Sequence, residues 1–99
     1  MKCLEETEYS IQDLIGLLEH SDIESRWRAA TALSRIGHTA VDPLLKKMFD
    51  DDPNVRVLAI WALGKIGDCR AYEPVCRSAE EETGFVRLAA EGALSRLKK

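Results

Sequence analysis

Ala62-Leu63-Gly64-Lys65-Ile66-Gly67 is the stretch on which the reading of this chain turns, because the same phrase is written three times. The first version, 30 residues earlier, is Ala32-Leu33-Ser34-Arg35-Ile36-Gly37, and the last, 31 residues later, is Ala93-Leu94-Ser95-Arg96-Leu97. An arginine keeps step six residues before each leading alanine, at Arg26, Arg56 and Arg87. Self-similarity at such a period marks a stack of small supersecondary units, none of which buries its apolar face alone. Regularity of this kind serves packing, so information about function lies in what differs between copies.

Working outward from the phrase, the punctuation is helical. Ser10 stands as a capping hydroxyl before Ile11, Leu14, Ile15 and Leu18, an apolar stripe at i, i+3, i+4 and i+7. Asp22 heads a second helix that stops at Gly37. Asp42-Pro43 predicts a capping acid followed by proline at the first helical position, in a third helix bearing Leu44, Leu45, Met48 and Phe49. Asp52-Pro53 repeats the device and opens the helix that stops at Gly67; Glu73-Pro74 starts a fifth helix, and Thr83 caps the sixth. Strand signals are nearly absent. The expected fold is all-α: six helices in three antiparallel hairpins, over roughly residues 10–37, 41–67 and 72–99, forming one short right-handed α-solenoid domain. Residues 1–9 form an N-terminal extension outside the repeat.

The bulk properties fit one small domain and exclude several classes. At 99 residues the chain has room for about the minimum number of such units that is stable. A net charge of −3 argues against wholesale neutralisation of phosphates, which leaves nucleic-acid binding as a weak alternative. No apolar run approaches the roughly 20 residues of a membrane span. Met1-Lys2-Cys3-Leu4-Glu5-Glu6 lacks the apolar stretch of a secretory signal. Cys3, Cys69 and Cys76 are odd in number and have no framework spacing, which favours a reducing cytoplasm.

The order Asp52-Pro53-Asn54-Val55-Arg56, Ala59, the phrase from Ala62 to Gly67, Asp68, Arg70-Ala71 and Glu73-Pro74 resembles the short HEAT-like repeat of the phycobilisome-lyase (PBS lyase) type. Tetratricopeptide and ankyrin units have similar lengths, but their W-x2-L-G-x2-Y and T-P-L-H signatures are missing. The first copy is one residue short between Gly37 and Pro43, and the third has Thr83-Gly84 in place of Asp52-Pro53. The resemblance implies an armadillo-like helical scaffold whose second helices line a concave, partner-binding surface.

A helical wheel of the middle copy sorts its residues independently of that resemblance. Val55, Ala59, Ala62, Leu63 and Ile66 fall within about 100° of one another and form the core stripe. Val57, Trp61 and Gly64 point the opposite way, with Leu58 and Lys65 on one flank. Carried across the copies, the candidate partner-binding face is Trp27, Arg28, Thr31 and Arg35 in the first repeat. It continues as Val57, Leu58, Trp61 and Lys65 in the second, and as Leu88, Ala89, Gly92 and Arg96 in the third. The rows Trp27–Val57–Leu88 and Thr31–Trp61–Gly92 make an apolar centre beside a basic row, Arg35–Lys65–Arg96. Gly92 is expected to leave a slot beside the Trp61 indole. Tryptophan beside arginine is the composition of an interface hot spot, while packing between neighbouring repeats is the alternative use of the same residues.

Other regular features read as structural. Arg26 and Arg56 follow Asp22 and Asp52 at i+4, and related repeats use such pairs as a ladder. Glu91 replaces Ala30 and Ile60, and the fifth helix is polar through Arg77, Ser78, Glu80, Glu81 and Glu82, so the last repeat reads as an end cap. Leu14, Leu17 and Leu18 cluster on the first helix, where weak self-association is possible in an otherwise monomeric chain.

Chemistry is hard to assemble from this inventory. His20 and His38 are the only histidines, and neither begins the His-Glu pair that iron hydroxylases built on similar repeats require. Asp50-Asp51-Asp52 runs straight into Pro53 and a helix, without the glycine and twelfth-position glutamate of a calcium loop. Gly64-Lys65-Ile66-Gly67 is a helix end, not a phosphate loop. Cys69, Cys76 and His38 fall short of a zinc set. The expectation is therefore a non-enzymatic scaffold without cofactor or metal, binding a protein or peptide that carries an acidic segment. A bilin lyase subunit or accessory factor, holding an open-chain tetrapyrrole on the same face, is the alternative that the resemblance implies.

Overall fold

A computed structural model describes residues 9–97. The architecture is all-α: α1 (Ile11–Leu17), α2 (Ile23–Ile36), α3 (Val41–Lys47), α4 (Pro53–Ile66), α5 (Tyr72–Glu81) and α6 (Gly84–Leu97), with no strand among the described residues. Short 3-10 turns, His38–Ala40 and Cys69–Ala71, lead into α3 and α5. The helices pair in sequence and stack into a slab of 41 × 27 × 18 Å, whose thickness fits two helix layers at about 8–10 Å each. In one layer α2, α4 and α6 lie closely side by side; in the other, α1, α3 and α5 stand further apart.

Local chemistry sets the helix ends. The Ser10 hydroxyl accepts from the Asp13 N–H at 3.0 Å, and the Asp13 carboxylate accepts from the Ser10 N–H at 3.2 Å, a reciprocal capping box. Asp22 accepts from the Ser25 N–H and hydroxyl, and the hydroxyl bond above all holds its carboxyl below the usual range. Asp52 accepts from the Asn54 N–H at 2.9 Å, with Pro53 at the first position of α4. Gly67 ends α4 in the left-handed conformation, φ 75 and ψ 19, which costs a side-chain-bearing residue energy.

Three helix starts and ends differ from expectation. Asp42-Pro43 and Glu73-Pro74 are the second and third residues of their helices, because the 3-10 turns begin the coiling earlier. Proline is tolerated there, since the first four N–H groups of a helix have no internal acceptor. Asp42 is thereby freed from capping and faces Arg70. Phe49 lies beyond the end of α3 and is 74% exposed, so it does not belong to that helix's apolar face.

The core runs through both layers: Leu14, Leu18, Leu33, Leu44, Ile60 and Leu63 are fully buried. Leu14 and Leu18 thus face inward, and only half-buried Leu17 remains of the cluster expected to support self-association. In α4 burial extends to Leu58, Ile60 and Gly64, well outside the core stripe, because this helix is the middle of three. A Cβ placed on Gly64 would lie 2.8 Å from the Ala93 Cβ, so Gly64 packs directly against α6 and does not point outward.

The stepping arginines are structural in a different way from the expected ladder. Arg26 Nη1 donates to the His20 carbonyl at 3.0 Å, and Arg56 Nη1 donates to the Asp50 carbonyl at 2.9 Å, each reaching back six residues to hold the preceding loop. Asp22 and Asp52 are engaged in capping instead. Arg56 also reaches forward to Glu82 in the next repeat, Nη2 to Oε1 at 3.2 Å, with Nε 3.1 Å from Oε2. Arg87 pairs with Glu91 at 3.0 Å, on the polar side of the last helix. Lys47 is clasped by Glu19 and, at 3.5 Å, by Asp50; chiefly the Glu19 bond raises the ammonium above its ordinary value.

Candidate functional site

Because α2, α4 and α6 begin at residues 23, 53 and 84, residues 30 or 31 apart come to lie side by side. The rows Trp27–Val57–Leu88, Thr31–Trp61–Gly92 and Arg35–Lys65–Arg96 therefore cross the helix layer in parallel. Successive rows are about 6 Å apart, four residues at about 1.5 Å each.

The apolar row faces solvent. Trp27 is 39% exposed and Leu88 62% exposed, while Val57 between them is half-buried. Ile23 and Phe85, exposed by 60% and 82%, extend the patch toward the helix starts. Sequence reasoning passed over both, although Ile23 precedes Trp27 by four residues and Phe85 precedes Leu88 by three, spacings that share a helix face.

Trp61 combines both roles weighed for it. Its ring meets Trp27 edge to face, with centroids 5.3 Å apart and planes at 85°, an arrangement favoured by the ring quadrupoles. The Lys65 ammonium lies 5.7 Å from the Trp61 centroid, within cation–π range. Trp61 is thus a half-buried strut between repeats, and the more exposed Trp27 rests against it. The Thr31 hydroxyl is turned back onto the Trp27 carbonyl at 2.9 Å.

One expected member leaves the face, and another stays on it without the slot expected of it. Leu58 is 2% exposed and belongs to the core, on the flank of α4 opposite Gly64, where α2 packs. Gly92 makes no fitted slot: a Cβ built there would meet nothing within 4 Å, so the position is open surface. Ala89 is half-buried. Arg28 is exposed but pairs with Glu24 at 2.9 Å along its own helix. Arg35, Lys65 and Arg96 are all exposed, and among the described residues no carboxylate pairs with them. The net result is a row of exposed apolar side chains beside three cations that have no carboxylate partner among the described residues, one of them, Lys65, resting over the Trp61 ring.

A second polar cluster joins the loops of the first two repeats. The Asp68 side chain, 10% exposed, accepts from the Arg70 Nη2 at 2.9 Å and the Arg70 backbone N–H at 2.9 Å, and lies 2.7 Å from His38 Nδ1. Arg70 also donates to the His38 carbonyl at 3.2 Å and pairs with Asp42 at 3.4 Å. The Arg70 guanidinium, then its backbone N–H, then His38 hold the Asp68 carboxyl far below the usual range. This cluster ties repeats together. Its signal in the sequence was the spacing of His38 and Asp68, one repeat apart.

The remaining candidates for chemistry disperse. His38 is engaged by Asp68, and Cys76 bonds the Tyr72 phenol, pushing its pKa up. Cys3 lies outside the described residues. Among the described residues no group of three His, Cys, Asp or Glu gathers to hold a metal ion. Asp50 pairs with Lys47 and accepts from the Asp52 N–H at 3.1 Å, so this acidic turn is built into the start of α4. A groove of about 200 Å³ between the end of α3 and α5 is lined by Met48, Phe49, Pro74 and Arg77 with several glutamates. It is smaller than the roughly 300–1,000 Å³ of typical small-molecule sites. No described helix is long and apolar enough to cross a membrane.

The family model for HEAT repeats matches residues 11–95, and the chain belongs to that family. No curated protein matches the chain.

Proposed function

We propose that the chain is a non-enzymatic scaffold of the short, PBS-lyase type of HEAT-like repeat, and that it binds a protein segment on the α2–α4–α6 face. The observation that carries this reading is the pair of exposed apolar clusters, Ile23 with Trp27 on α2 and Phe85 with Leu88 on α6, joined across α4 by half-buried Val57 and lying beside three cations without described carboxylate partners. Exposed aromatics next to arginine are enriched where binding energy concentrates, and contiguous apolar patches on a soluble surface mark interaction sites. Trp27 is the anchor in this reading, because it is exposed yet braced by Trp61. A braced side chain loses little conformational entropy on binding. The face therefore supplies apolar affinity at its centre and electrostatic selection for acidic partners at one edge. The free thiols of Cys69 and Cys76 suit a reducing, cytoplasmic setting.

Selection from a random peptide display library against the purified chain tests the reading. Enriched peptides should be rich in acidic and apolar residues, and Trp27→Ala with Leu88→Ala should abolish their binding. Enrichment that survives both substitutions would overturn it. The competing use of the face, as a platform for a bilin, predicts a shifted tetrapyrrole absorbance and quenched tryptophan emission on titration. The protein-binding reading expects neither.

A further inference from the structure

We propose that the groove between the end of α3 and α5 is a separate binding site, which takes an arginine side chain of a partner protein with its guanidinium stacked on Phe49 and paired with Glu81. It lies in the α1–α3–α5 layer, so it stands whether or not the α2–α4–α6 face is used. The groove opens because the helices of this layer stand further apart than those of the other. Buried Met48 and half-buried Pro74 line it, and Phe49, 74% exposed, is held out to it by the loop after α3. A volume of about 200 Å³ suits one long side chain better than a cofactor-sized ligand. Its walls are tied together. The Phe49 N–H donates to the Lys46 carbonyl at 3.2 Å, and the Asp50 N–H to the Lys47 carbonyl at 3.1 Å. Arg56 donates to the Asp50 and Asp51 carbonyls at 2.9 and 3.2 Å, and also holds Glu82 just beyond α5. One guanidinium thus joins the loop that carries Phe49 to the end of the helix opposite. A site fixed in this way loses little conformational entropy when it binds.

Charge names the occupant. Glu73, Glu81 and Glu82 line the groove together with Arg77. Glu82 is satisfied by Arg56, which leaves two carboxylates against one guanidinium. Among the described residues neither Glu73 nor Glu81 has an ion-pair partner, and Lys47, in the last turn of α3, is already clasped by Glu19 and Asp50. The lining therefore carries one negative charge in excess and calls for one cation. A metal ion does not fit this set: Glu73 and Glu81 stand about 12 Å apart along α5, and among the described residues no three ligands gather. The link through Arg56 brings the loop level with the end of α5, so Glu81 is the carboxylate on the Phe49 side. Phe49 decides between the two cationic side chains. A planar guanidinium stacks on an aromatic face and meets a carboxylate with two parallel hydrogen bonds, whereas an ammonium is a more strongly hydrated point charge.

The test titrates the full chain, isotope-labelled for amide NMR, with a short peptide whose single arginine stands between leucines. Two relatives carry lysine or citrulline, the uncharged analogue, in place of the arginine. Amide shifts should centre on Phe49, Ser78 and Glu81, and the arginine peptide should bind at least about three-fold tighter than either relative. Phe49→Leu should erase the preference for arginine over lysine. Glu81→Gln should weaken the arginine peptide by about three-fold or more, whereas Glu80→Gln, an exposed carboxylate of the same helix outside the lining, should leave it unchanged. Equal binding of the arginine and citrulline peptides, or equal losses from the two glutamate substitutions, overturns the charge pair. Shifts centred on Trp27 and Lys65 overturn the groove as the site and count for the other face instead. The groove shifts appearing when the chain alone is concentrated, without peptide, make a second copy the occupant and overturn the choice of partner. No shift with any peptide overturns the proposal while leaving the α2–α4–α6 face untouched.

Discussion

Gly64→Ala should destabilise this protein although it replaces a helix-interior glycine by the best helix former. The added methyl carbon would lie 2.8 Å from the Ala93 Cβ and 3.0 Å from its Cα. Ordinary carbon contacts are about 3.5–4.0 Å, so α4 and α6 must part by roughly 1 Å. The obstacle is backbone and Cβ, which cannot rotate aside. Overpacking of this kind costs about 1–3 kcal/mol, against a propensity gain of about 0.5–1 kcal/mol, leaving a net loss of about 1–2 kcal/mol. Gly92→Ala is the internal control. It makes the same chemical change one helix away, where the new Cβ meets nothing within 4 Å, and should stabilise by about 0.5–1 kcal/mol. Urea unfolding followed by far-ultraviolet circular dichroism resolves the contrast. With a slope of about 1 kcal/mol/M, the two midpoints should move in opposite directions and differ by about 2 M. Adding Ala93→Gly to Gly64→Ala should recover part of the loss, because the two sites share one contact. If both glycine substitutions stabilise equally, α4 and α6 are not in the close register described.

Three further outcomes follow from the same geometry. Trp61→Phe leaves Trp27 as the sole tryptophan and should give red-shifted emission that acrylamide quenches readily, whereas Trp27→Phe reports the more protected Trp61; equal quenching constants would contradict the strut-and-anchor arrangement. Asp68→Asn should lower the urea midpoint at pH 7, and by less at pH 3. The folded carboxyl of Asp68 is depressed, chiefly by Arg70, so its stabilisation is present above the unfolded value of about 3.9 and fades as pH falls below it; an equal loss at both pH values would refute this. In a double-mutant cycle of Arg56→Met and Glu82→Gln, the half-buried pair should show a coupling of about 0.5–1 kcal/mol, and additivity would mean that the two side chains act independently.

The helix ends were legible because they are local. Ser10, Asp22, Asp52-Pro53 and Gly67 act on N–H or C=O groups within four residues, and each does what its chemistry dictates. The start of α3 was misread by two residues because a 3-10 turn is not encoded by a cap, and Asp42 looked like one. Leu58 and Gly64 were misassigned for a different reason. A wheel divides a helix into inside and outside, which suits a helix with one neighbour layer. α4 has a neighbour on each flank as well, so only the arc around Val57, Trp61 and Lys65 is left to solvent. The contacts of Arg56 with Glu82, and of Asp68 with His38, join residues 26 and 30 apart, and only the repeat period brings them together.

The repeated and unrepeated residues are consequently parts of one device. Position 64 and its counterparts are small in every copy, Ser34, Gly64 and Ser95, and in the middle copy this smallness lets α6 close on α4. That closure fixes the interval between Lys65 and Arg96, which stand one residue beyond Gly64 and three beyond Ala93 in the same helices. Packing side chains therefore set how closely the exposed cations of α4 and α6 approach each other. A substitution at a buried repeat position such as Gly64 should change partner binding as well as stability. On the protein-binding reading proposed for this face, widening the α4–α6 interval by about 1 Å should weaken partner binding in a titration although every outward-facing side chain stays the same, and unchanged affinity would mean that the interval does not matter to the face.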